Sequence, residues 1–87
     1  MITKVFSVYD TKAEAYVSPF FFPAVGLAIR GFVDEANNPN SQINKHPTDF
    51  ALFELGEFDD SSGVFTCLPA PRNLGLAHEF LAVGQDS

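Results

Sequence analysis

The chain reads as an α+β domain: a small antiparallel sheet of three or four strands, one main helix packed across it, and a short C-terminal helix. Three stretches lead there. Ile2 to Tyr9 alternates at the strand period. Pro23 to Asn37 repeats apolar side chains three and four residues apart, the spacing of one helix face. Asp49 to Leu68 holds two apolar runs around a polar Asp-Asp-Ser-Ser-Gly connector, the pattern of a hairpin. The 87 residues are expected to form a single domain. A domain of this size buries roughly 60–65% of its unfolded surface, so its margin of stability is small.

In the first stretch Ile2, Phe6 and Val8 fall on one parity, with Lys4 between them, and Val5 and Tyr9 fall on the other. A strand apolar on both faces belongs inside a sheet or under a cover. Asp10-Thr11-Lys12-Ala13-Glu14 ends it, and Ala15-Tyr16-Val17 is a short extended segment or second strand. In Ser18-Pro19-Phe20-Phe21-Phe22-Pro23 two prolines remove backbone donors, which argues against a regular central strand. Its three phenylalanines have two readings. They plug one end of the core or a dimer interface, or they form an exposed aromatic platform on which bases stack.

The main helix is expected over Pro23–Asn37, with Pro23 in the first turn and Val25, Ala28, Ile29, Phe32, Val33 and Ala36 on the apolar face. Asn37-Asn38-Pro39 ends it, since Asn tolerates left-handed backbone and Pro cannot continue the ladder. Asn40 to Thr48 is a loop. The hairpin follows, with Asp and Ser bonding their own backbone at the turn and Gly63 supplying positive φ. Pro69-Ala70-Pro71 is a stiff connector, and Asn73 to Val83 a closing helix with Asn73 as N-cap. Gly84 to Ser87 is a tail.

Composition removes several function classes. One cysteine permits no internal disulfide, and Cys67 reads as a small buried hydrophobe in a reducing compartment. The longest apolar stretch, Pro19 to Ile29, is too short to span a bilayer, and no secretory signal is present, so a membrane role is not expected. The net charge is −6, and the five basic residues are scattered, unlike the basic cluster of a strong nucleic-acid binder. No phosphate loop, dinucleotide fingerprint, nucleophilic triad or metal-ligand spacing occurs, so the expectation is a non-enzymatic protein with no cofactor and no metal. Carboxylates gather at Glu54, Glu57, Asp59 and Asp60. Glu54 and Glu57, an odd number apart, would face opposite sides of a strand unless a bulge at Gly56 re-aims one. They read as a solvated acidic rim.

The residues Val5-Phe6-Ser7-Val8-Tyr9-Asp10-Thr11-Lys12-Ala13-Glu14-Ala15-Tyr16 resemble the opening of the small nonstructural, DNA-binding proteins of gokushovirus-type microviruses, which are single-stranded DNA phages. The resemblance continues through Pro19-Phe20-Phe21, Ala28-Ile29-Arg30-Gly31-Phe32, His46-Pro47-Thr48-Asp49-Phe50, Leu52 to Asp60, Gly63 and Leu74-Gly75. It implies a role in viral genome replication or the switch to packaging, in the host bacterial cytoplasm. It carries no site residues with it. On the residues themselves two mechanisms stand. In the first, Tyr9, Tyr16, Phe20 and Phe21 stack bases of single-stranded DNA while Lys4, Lys12, Arg30 and Lys45 touch phosphates. In the second, an acidic homodimer is an adaptor for the viral replication-initiation protein or the procapsid, steered by Glu54, Glu57, Asp59 and Asp60.

Overall fold

The computed structural model describes residues 1–82. Strand β1 (Ile2–Asp10) runs through the sheet next to β4 (Phe50–Asp59), and β5 (Val64–Leu76) lies outside β4. The other side of β1 is shared by two short strands: β2 (Ala15–Tyr16) pairs with its end, and β3 (Phe20–Phe22) with its first half. Every pairing is antiparallel. The α+β class is as expected, with five strands instead of three or four. The extra strand is Phe20–Phe22, which pairs only along one edge of β1, where its flanking prolines cost no ladder bond on the outer side.

Three helical pieces lie on one face of the sheet: α1 (Val25–Ala36), α2 (Gln42–Lys45) and a 3-10 helix at Ala77–Phe80. The core forms where α1 meets the sheet. Ala28, Phe32 and Ala36, one side chain per turn, bury against Phe6, Val8, Leu52 and Ala77. Pro23 precedes the helix by two residues, and the N-cap Ala24 offers no side-chain acceptor. The helix stops at Asn37, but not by left-handed backbone, since its φ is −99°. Its side chain ties the helix end to the following layer instead. Asn37 Nδ2 donates to Val33 O at 2.8 Å and to Phe80 O at 3.0 Å, and Asn37 Oδ1 accepts from Ala82 N at 2.8 Å.

The second half of the chain departs from expectation. Pro69-Ala70-Pro71 is no connector between separate elements, and Asn73 starts no helix. Both lie within β5. The ladder accommodates the prolines by bulging: Gly56 pairs with Cys67 and Glu54 with Arg72, so four residues of β5 arch over the single residue Leu55. The edge position makes this tolerable, because a proline there leaves no interior donor unpaired. Helical backbone begins only at Ala77, as a single 3-10 turn, with Leu76 N donating to Glu79 Oε1 at 3.1 Å. Val83 and the tail lie outside the described residues. The loop at 40–48 also contains one helical turn, capped by Ser41, whose Oγ accepts from Ile43 N.

The hairpin turn is as read from the sequence. Asp59 Oδ1 accepts from Ser61 N at 3.0 Å and from Ser61 Oγ at 2.6 Å, and Gly63 takes φ of +75°. The β4–β5 arm makes the molecule long. Its extents are 49 × 25 × 20 Å and its radius of gyration is 13.8 Å, against about 12 Å for a compact chain of this length.

Candidate functional site

Alternation along β1 sorts the sheet into two faces. Phe6 and Val8 point to the helices, while Thr3, Val5, Ser7 and Tyr9 point away. Cross-strand partners share a face, so the helix-free side also receives Tyr16, Phe21, Phe53, Phe58 and Phe65. The twelve aromatic rings of the chain therefore divide equally. Phe6, Phe20, Phe22, Phe32, Phe50 and Phe80 pack in or against the core. The other six stand on the face that no helix covers.

Those six form two groups. Tyr9, Tyr16 and Phe53 meet edge to face, with centroids 4.9, 5.6 and 6.4 Å apart. Phe21, Phe58 and Phe65 form the second group, with Phe58 and Phe65 only 4.6 Å apart. Such pairs are worth about 0.5–1.5 kcal/mol each beyond the area they bury, so the rings hold one another in place. Between the groups Val5 and Ser7 are buried, and Ser7 Oγ donates to Val17 O at 2.7 Å. Tyr16 and Phe21 are each 44% exposed and Phe65 is 57% exposed. Exposed large apolar side chains gathered in this way make the face a candidate binding surface.

The charged groups on the helix-side face of the sheet gather around a bulge. β1 pairs Val5 with Gly56 but Phe6 with Glu54, so Leu55 is the extra residue. The slip moves Glu57 onto the face that already carries Glu54, and Lys4 sits between the two, 3.3 Å from Glu57 Oε2 and 3.9 Å from Glu54 Oε2. Glu54 is not part of a solvated rim. It is 5% exposed and takes Arg72 on Oε1 through both Nε and Nη2. Asp59 and Asp60 stay at the surface, where the Met1 amino group donates to Asp60 Oδ1 at 2.7 Å. That hydrogen bond holds the amino group's pKa above its ordinary value of 8.0, and the bonds from Ser61 hold Asp59 below the usual 3.8.

Gly56 is the position that lets the bulge form. A Cβ there would run into the Thr66 carbonyl oxygen and stand 2.8 Å from Cys67 Cα. Cys67 itself is exposed and not buried, because its strand is the sheet edge among the described residues.

Of the residues singled out for nucleic-acid contact, Tyr9, Tyr16 and Phe21 share the helix-free face. Phe20 does not: its ring stacks on Phe6 at 6.2 Å in the core. Lys4 is engaged by carboxylates. Lys12 lies in the exposed β1–β2 turn and lines a cleft with Gln42, His46 and Phe50, and Arg30 and Lys45 belong to the helix layer. Among the described residues no carboxylate lies within 4.0 Å of Lys12, Arg30 or Lys45. Phe53, Phe58 and Phe65 were missed as members of this surface. Strand parity alone places Phe53 opposite Leu52, but a hidden bulge breaks the count before Phe58. The helix side also holds an apolar cleft of about 450 Å³, lined by Val8, Phe20, Phe22, Phe32, Ile43 and Phe50 with Glu35 at its rim.

The fold and face together define a small antiparallel sheet with helices on one side and an open aromatic surface on the other. The chain belongs to the Phage ORF5 protein family, whose model matches residues 3–80. It is thus a phage protein. No curated protein and no solved structure matches it. Among the described residues no helix is long and apolar enough to cross a membrane.

Proposed function

We propose that this phage protein acts in viral single-stranded DNA replication or the switch to packaging, in a phage of gokushovirus type, by stacking DNA bases on its helix-free face. The observation that carries the reading is the division of the aromatic rings, six in the core layer and six on the uncovered face. Stacking contributes about 1–3 kcal/mol per base and tolerates any sequence. Phosphate contact is a minor part, since two of the five cations are held by carboxylates and Arg30 and Lys45 lie in the helix layer.

The adaptor reading keeps Glu57, Asp59 and Asp60 on the surface but loses Glu54 to its buried pair with Arg72. That observation favours the stacking reading over steering by an acidic rim.

The test is fluorescence anisotropy of a labelled single-stranded oligonucleotide titrated at several salt concentrations. With at most three free cations in contact, the slope of log affinity on log salt is expected to be no steeper than about −2. Tyr16→Ala and Phe21→Ala should each weaken binding by roughly 5- to 100-fold. Wild-type affinity in both variants would remove the face from consideration. No binding at low salt and high protein concentration would remove the DNA reading.

A further inference from the structure

Among the described residues no strand pairs with the outer edge of β5, which divides into two unlike halves. From Leu68 to Pro71 it is guarded by two prolines and an arch, the devices that stop one sheet edge from pairing with another. From Val64 to Leu68 it is not guarded at all. The sequence there is Val-Phe-Thr-Cys-Leu, with no charge, no proline and an unbroken register against β4 from Asp59–Val64 to Gly56–Cys67. Val64, Phe65, Thr66 and Cys67 are all exposed, Val64 and Phe65 by more than half.

We propose that this segment is the contact between two copies of the chain, paired antiparallel as β5 against β5 about a two-fold axis at Thr66. The register follows from the sequence. With Thr66 opposite itself, Val64 meets Leu68 of the second copy and Phe65 meets its Cys67, so all five residues find uncharged partners and no proline enters the ladder. The self-complementary register, not net charge, selects a second copy as the occupant. Two copies at −6 each repel, and an uncharged strip at the sheet edge is where their backbones approach most cheaply. Main-chain hydrogen bonds supply the attraction, as in other strand additions.

The pairing also completes the aromatic face. A two-fold axis perpendicular to the sheet turns both helix-free faces the same way. Phe65 stands at the seam, with Phe58 and Phe21 behind it, so the two Phe groups become one continuous surface. The contact itself needs no DNA and stands or falls separately from the stacking reading.

Sedimentation equilibrium without nucleic acid tests it. Wild type is expected to pass with concentration from the 9.5 kDa monomer to twice that mass. Cys67→Glu, which sets a carboxylate against the second copy's Phe65 on both sides of the axis, should weaken dimerisation at least tenfold while the far-ultraviolet spectrum stays unchanged. A second readout uses Thr66→Cys with Cys67→Ser, oxidised by copper–phenanthroline. The self-opposed position should cross-link readily, and wild-type Cys67, which lies diagonally across the axis, slowly. A monomer at every concentration, a dimer indifferent to Cys67→Glu, or no cross-link through position 66 would each overturn the proposal.

Discussion

Replacing Arg72 with Met tests the charged interior of the β4–β5 arm. Glu54 is 5% exposed, while the Arg72 side chain is 59% exposed. Coulomb's law at about 3 Å gives roughly 1.4 kcal/mol in water and roughly 5.5 kcal/mol at an effective dielectric of 20. The pair spans both environments, and Lys4 remains 3.9 Å from the other carboxylate oxygen. Arg72→Met is therefore expected to cost about 2–3 kcal/mol, less than the 3–5 of a fully buried pair broken on one side. For a domain of this length that lowers Tm by roughly 10–20 °C. Urea unfolding followed by far-ultraviolet circular dichroism measures it. The double variant Glu54→Leu with Arg72→Met should recover most of the loss, because no uncompensated carboxylate is left inside. A single-variant cost below about 0.5 kcal/mol, the size of a surface pair, would refute the reasoning. Single-stranded DNA affinity of the folded variant should stay at the wild-type level, since Arg72 is already committed to Glu54.

Other expectations follow from the same geometry. Gly56→Ala drives a methyl group into the backbone of Thr66 and Cys67, and should destabilise by at least about 1–3 kcal/mol in thermal or urea unfolding. Gly26→Ala sits in α1 with nothing within 4 Å of the added Cβ, and should stabilise by about 0.5–1 kcal/mol. Phe32→Ala, at the centre of the core, should cost about 3–5 kcal/mol. The Asp59 turn gives a pH dependence with a definite sign. Its carboxyl titrates lower in the folded chain than the ordinary 3.8. Its stabilisation is therefore present above that value and lost as pH falls through the lower folded value. Asp59→Asn should flatten the acid limb of a stability–pH curve in that window.

The elements with strictly local causes were legible in the sequence. Alternation over Ile2–Tyr9, the apolar stripe through Ala28, Phe32 and Ala36, and the turn at Asp59–Gly63 all follow from side-chain periodicity and turn chemistry within a few residues. The closing segment was not. Leu74, Ala77, Phe80 and Leu81 fit a helical stripe, yet Asn73 to Leu76 is strand, because pairing with β4 satisfies its backbone and overrides local preference. The prolines at 69 and 71 read as a break because sequence does not reveal that their strand lies at an edge and arches over Leu55.

The candidate surface divides the same way. Sequence placed Tyr9, Tyr16 and Phe21 among the stacking residues and gave the chain enough rings for both a core and a surface. Only the tertiary pairing decided which ring went where. Phe20 and Phe21 are neighbours with opposite fates, set by which of them shares a face with Phe6 and which with Val5. Glu54 and Glu57, apart by parity, converge on Lys4 because a bulge at Leu55 shifts the count by one. The physical reason is the period of two along a strand. Composition fixes what a strand can bury, but one inserted residue, invisible until the partner strand is known, decides which side of the sheet receives it.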